Sequence, residues 1–185
     1  MGLFDIIGPI MVGPSSSHTA GAVRIGYVTR QLLGEDIAEA QIDLYGSFLA
    51  TGRGHGTDRA LVAGLLGMKE DDYRIPRSFE IAKEKGMRFQ FGEALLKEAH
   101  PNSVQITVTG VDGKERTIVG SSIGGGSIRI CKIDDIETNF TGDYTGRVIY
   151  MYKEDMKLSP HTKSKLEEYL KKKEQGAEAH GISVN

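Results

Sequence analysis

The feature that most limits the folds open to this chain is a change of hydrophobic period near Gly86. Beyond it, four segments alternate in the manner of strands: MRFQF, SVQITVTG, RTIVGSSI and SIRICKID. Between the second and third, Val111–Lys114 reads VDGK, and an Asp-Gly pair there predicts a tight hairpin turn. An earlier strand is expected within Ala40–Ser47, where Ile42, Asp43 and Leu44 alternate. Helical signals gathered early and consecutive strands late predict an α+β fold, with helices packed on a mixed or antiparallel sheet.

The first helix is expected to follow Ser15, with Ala20, Val23, Tyr27, Val28, Leu32 and Leu33 forming an apolar stripe and Gly34 ending it. A second runs from Thr57 or Asp58, either of which can cap it, to Gly67; a third begins at Ser78 and stops at Gly86. Near the C-terminus, Arg147–Tyr152 reads as a strand. Ser159 and Pro160 then open a charged helix carrying the Glu167/Lys171 and Glu168/Lys172 pairs, and the tail QGAEAHGISVN has no period. This predicts a main domain over residues 1–143 and a strand–helix extension over 144–185.

Lysine plus arginine number 23 against 25 acidic residues, and a net charge of −2 gives no footprint for nucleic acid or a membrane surface. Asp5, Gly8 and Pro9 interrupt the apolar N-terminus, which lacks a basic leader and a myristoylation serine or threonine at position 6. No apolar run reaches the ~18 residues a membrane span requires, so a cytoplasmic protein is expected. Cys131 is the sole cysteine, which excludes an intrachain disulfide and a Cys-only metal or cluster site in this chain.

Two segments carry the chemistry. Gly13–Gly21 reads GPSSSHTAG, three hydroxyls and an imidazole ahead of a helix, where free N–H groups and the positive dipole end suit a carboxylate or phosphate. Plain capping is the alternative, but it needs one serine, not three. Gly46–Asp58 reads GSFLATGRGHGTD, taken as a glycine-rich loop in which Gly52, Gly54 and Gly56 let backbone approach a ligand and expose Arg53 and His55 between them. A mere strand-to-helix turn is the competing reading. Neither G-x-G-x-x-G with an acidic partner nor G-x-x-x-x-G-K-[ST] is present, so both nucleotide fingerprints fail.

The five histidines, at positions 18, 55, 100, 161 and 180, contain no close zinc-type pair, and no G-x-S-x-G elbow accompanies Ser17 and His18. His161 and His180 fit solvated positions. His100-Pro-Asn-Ser103 and Gly124-Gly-Gly126 each read alone as turns.

Together, GPSSSHTAG, GSFLATGRGHGTD, HPNS and SIGGGSI resemble, in order, the signature segments of the β domain of iron–sulfur L-serine dehydratases, with similarity running from about Phe4 to Thr141. The resemblance implies deamination of L-serine to pyruvate and ammonia. The [4Fe–4S] cluster is supplied by an α subunit, no metal ligand comes from this chain, and no pyridoxal phosphate is involved. It also implies a fold like the allosteric substrate-binding domain of some phosphoglycerate dehydrogenases. On this footing His55 is the expected base for the Cα proton, with an exchange of roles with His18 left open. Ser15, Ser16, Ser17, His18 and Thr19 hold the carboxylate, and Gly54 lines the pocket. Thr57 and Asp58 orient His55 or receive the ammonium. The α subunit is expected to cover the face carrying both segments, and homodimerisation is left open.

Two-subunit relatives usually continue into an ACT domain, but about forty residues follow Thr141, too few for a βαββαβ unit, so an incomplete or absent ACT domain is expected. The rival expectation is a non-catalytic serine- or anion-binding regulatory module on the same fold.

Overall fold

A computed structural model describes Gly13 and residues 15–141. A π-helical turn, Ser16–Ala20, runs into α1 (Gly21–Leu33), followed by β1 (Ile37–Tyr45), α2 (Gly46–His55) and α3 (Thr57–Leu65). A 3-10 turn at Ile75–Arg77 leads into α4 (Ser78–Glu84). The remaining strands are β2 (Arg88–Glu93), β3 (Asn102–Gly110), β4 (Glu115–Gly124), β5 (Ser127–Ile133) and β6 (Ile136–Thr141). They form one mixed sheet ordered β2-β1-β3-β4-β5-β6. Only β1 and β2 are parallel, because three helices intervene and return the chain to the end where β1 began. The α+β expectation holds.

The core is a lattice of aliphatic rows. Ile42, Ile106, Ile118 and Ile133 stand in register across four strands, all fully buried. Burial of each contributes on the order of 2 kcal/mol. In the next row but one, Leu44, Val104, Gly120 and Ile130 align, and the missing side chain at Gly120 leaves room for Ile25 of α1. α1 is buried more widely than its expected stripe, adding Gly21, Ala22, Ile25, Gly26 and Thr29, whereas Tyr27 of that stripe is only half-buried. It meets α3 at Gly26 and Gly64: a Cβ on Gly26 would overlap the Leu61 carbonyl oxygen, and one on Gly64 the Val23 carbonyl oxygen. The two backbones therefore touch, which only glycine permits.

Several punctuation signals act as expected. Gly34 sits at φ 85° and donates to Arg30 O at 3.0 Å, ending α1. The Asp112-Gly113 turn closes the β3–β4 hairpin, with the Gly110 N–H donating to Lys114 O at 2.8 Å. β6 was not anticipated; none of its residues is buried and they carry no apolar alternation.

The expected loop at Gly46–Asp58 is wrong: its first ten residues form α2. Glycine lowers helix propensity by ~1 kcal/mol per residue, but packing overrides propensity here, since Phe48 is fully buried and Gly52 sits against Leu44 and Thr57. The true break is Gly56, at φ 73°, which ends α2 and caps α3. Neither Thr57 nor Asp58 is therefore the cap; both lie inside α3. The predicted strand at Arg147–Tyr152, the helix from Ser159 and the domain boundary at 143/144 lie outside the described residues.

Candidate active site

One end of the sheet collects the four segments singled out in the sequence. Tyr45, Ser103, Ser121 and Arg129 form a register row across β1, β3, β4 and β5 near that end. Just beyond it, Gly46 bridges Asn102, and the Ser47 N–H donates to Pro101 O at 2.7 Å, tying GSFL to HPN. Ser122 lies against Gly21, where a Cβ would collide with its side chain. Arg24 of α1 donates to the Gly126 carbonyl at 3.0 Å and to Glu70 at 2.6 and 2.9 Å, pinning the triple-glycine hairpin to the helix.

The first segment is not a loop ahead of a helix but the π turn itself. Ser15 is its extended cap, and its Oγ accepts from the His18 N–H at 3.3 Å. Such turns concentrate at functional sites. The turn aims His18 at α2: Nε2 lies 3.2 Å from Ser47 Oγ and 3.1 Å from Thr51 Oγ1. Nδ1 lies 3.3 Å from Ser17 Oγ and 3.5 Å from Ser15 Oγ. Phe48 stands edge-on to the ring, with centroids 5.5 Å apart. Burial and the neighbouring His55 hold the His18 imidazole below its ordinary pKa, while a hydrogen bond to the Ser47 backbone pulls the other way.

His55, the last residue of α2, brings its ring centroid to 4.9 Å from that of His18. Its side chain is exposed and makes no hydrogen bond among the described residues. The structure thus brings together the two histidines that the sequence set 37 positions apart. Gly54 is exposed, with nothing within 4 Å of a Cβ position. Thr19 and Thr57 are buried, and their hydroxyls have no hydrogen-bond partner among the described residues, as is true of Ser122. Such groups call for a ligand or an ordered water. Ser16 is half-buried and its side chain makes no hydrogen bond among the described residues, and Asp58 accepts from the Arg59 N–H at 2.8 Å. Neither Thr57 nor Asp58 hydrogen-bonds His55 among the described residues. Ser47 and Thr51, the partners of His18, were missed in the sequence because the segment was read as a loop.

Residues 2–84 match the family described as serine dehydratase beta chain. The chain is 48% identical over 143 residues to the L-serine dehydratase beta chain of Peptoniphilus asaccharolyticus, covering 77% of this chain and 64% of that one. A probable L-serine dehydratase beta chain of Bacillus subtilis is 44% identical over 142 residues, with the same coverage. The chain belongs to the serine dehydratase β-chain family. L-serine dehydratase 1 of Escherichia coli shares 32% identity over 153 residues, 68% of this chain and 33% of that relative. The chain spans less than two thirds of the length of the β chains it matches.

The family is one of iron–sulfur enzymes, and the residues here do not fit a cluster. A [4Fe–4S] group takes four thiolates, whereas Cys131 is the single cysteine. Among the described residues no group of three His, Cys, Asp or Glu could hold a metal ion. No helix among them is long and apolar enough to cross a membrane.

Proposed function

We propose that this chain is the substrate-binding half of an iron–sulfur L-serine ammonia-lyase, turning L-serine into pyruvate and ammonia beside a cluster-bearing α chain. The observation that carries this reading is the pair of imidazoles 4.9 Å apart, one held among hydroxyls and one exposed, at the sheet end where the four segments meet. A non-catalytic anion site has no use for the second, exposed histidine.

When bound, the α chain's cluster supplies Lewis acidity toward the substrate hydroxyl. The residues of this chain do the rest. His55 removes the Cα proton, its ring nitrogens making no hydrogen bond among the described residues. Ser15, Ser16, Ser17 and Thr19, with His18, orient the carboxylate at the π turn, an effect that supplies several kcal/mol when geometry is fixed. The backbone at Gly54 lines the pocket, and Thr57 and Asp58 receive the ammonium. The same reading places the protein in the cytoplasm, treats residues 1–143 as the domain that does this work, and makes the face carrying His18 and His55 the α-chain interface.

The test is anaerobic co-expression with the α chain and a pyruvate assay. His55→Ala is expected to lower kcat far more than it raises KM. Near-normal turnover by His55→Ala, with collapse in His18→Ala, reverses the assignment. Persistent inactivity of a cluster-loaded wild-type complex supports instead a regulatory module that binds serine or another small anion.

A further inference from the structure

We propose that Ser47 and Thr51 of α2 lock His18 as the Nε2–H tautomer, so that its basic nitrogen, Nδ1, faces the Ser15 and Ser17 hydroxyls rather than open space. The catalytic consequence rests on the function proposed above; the tautomer itself does not.

Thr51 Oγ1 lies 2.8 Å from the Ser47 carbonyl oxygen one turn earlier, and a carbonyl only accepts, so the single Thr51 hydroxyl proton is committed there. The Thr51 oxygen then meets His18 Nε2 at 3.1 Å as an acceptor. A bare nitrogen in that position would set lone pair against lone pair, so Nε2 carries the proton. Ser47 Oγ, at 3.2 Å, offers the same N–H a second acceptor.

A neutral imidazole has one N–H, which leaves Nδ1 unprotonated. Its neighbours are Ser17 Oγ at 3.3 Å and Ser15 Oγ at 3.5 Å, and one of these hydroxyls must donate to it. The two oxygens lie 3.4 Å apart, and Ser15 already accepts from the His18 N–H. One serine proton is thereby directed at the ring, and the other remains for an anionic ligand. His18 consequently senses a ligand only through a serine hydroxyl, whereas His55 can reach one directly. Ser47 and Thr51 are positioning residues: they act on substrate only through His18.

Two-bond 1H–15N correlation on the full chain with labelled histidine, at about pH 8 where imidazoles are neutral, reads the tautomer directly. The wild type is expected to show the Nε2–H pattern at His18, and a Ser47→Ala, Thr51→Val double variant a mixture of tautomers. An Nδ1–H pattern in the wild type, or an unchanged pattern in the double variant, overturns the proposal. In the complex with the α chain, Thr51→Val is expected to lower kcat about tenfold with little change in KM, and Thr51→Ser to restore it. Wild-type turnover in Thr51→Val, or no recovery in Thr51→Ser, counts against the positioning role. Because the spectrum needs no turnover, an inactive wild-type complex that still shows the Nε2–H pattern refutes the proposed function and leaves the tautomer standing.

Discussion

Gly26 and Gly64 bring α1 and α3 into backbone contact, whereas Gly54 and Gly56, on either side of His55, have nothing within 4 Å of where a Cβ would stand. The first pair is absent of side chain because there is no room. The second pair leaves room that none of the described residues uses, next to an exposed imidazole. The same residue type thus does structural work at the helix crossing and keeps the approach to His55 clear at the end of α2. A glycine count would treat the two regions alike; their surroundings separate them.

Substitutions test that separation, and the largest effect is expected at the crossing. Gly64→Val should cost more than about 3 kcal/mol, since the Val23 carbonyl cannot move without shifting α1; circular dichroism should show a chain that no longer melts cooperatively. Thr57→Val comes next. Its hydroxyl is buried without a partner among the described residues, so stability should hold or rise by up to ~1 kcal/mol while turnover with the α chain falls about tenfold. Unchanged turnover would remove Thr57 from the site.

Around His55 the expected signs divide. Gly54 lies in α2 with ordinary helical geometry and open space, so Gly54→Ala should stabilise by about 0.5–1 kcal/mol. Gly56 at φ 73° should lose about 1 kcal/mol on becoming alanine, for backbone reasons alone. Matching signs in thermal melts of the two variants would break the distinction drawn between helix and cap.

The smallest effect is a titration. The fold depresses the His18 pKa below 6.5, chiefly by burial and then by His55. The unfolded chain therefore binds the proton more readily. The stabilising contribution is fully present above the unfolded value and is lost as pH falls through it toward the folded one. His18→Gln should flatten that slope in urea melts taken across the window. In His55→Ala, with the neighbouring charge gone, the His18 resonance should titrate at higher pH than in the wild type.

Much of this architecture could be read from the sequence because local and tertiary preferences agree. Gly34, Gly86 and Asp112-Gly113 end their elements as their chemistry requires, and the Ile42, Ile106 and Ile118 alternation fixes which face each strand buries. The reading failed at α2, where three glycines between residues 52 and 56 outweighed a helical pattern set by burial of Phe48. That error concealed the partners of His18. On a helix, Ser47, Thr51 and His55 follow one another at i, i+4 and i+8 and share a face, so a helical reading would have grouped all three. The π turn at Ser16–Ala20 has no comparable sequence signal. β6 escaped because an exposed edge strand needs no apolar alternation.

The Asp112-Gly113 hairpin has a practical use. Gly110 is in register with Ile37, at the opposite end of β1 from Tyr45, which puts the turn roughly 25 Å along the strand from the histidines. Val111 there is 63% exposed. A fluorophore or surface tether attached at this turn would hold the molecule by its back, leaving the histidine face clear for an incoming partner to be watched as it docks.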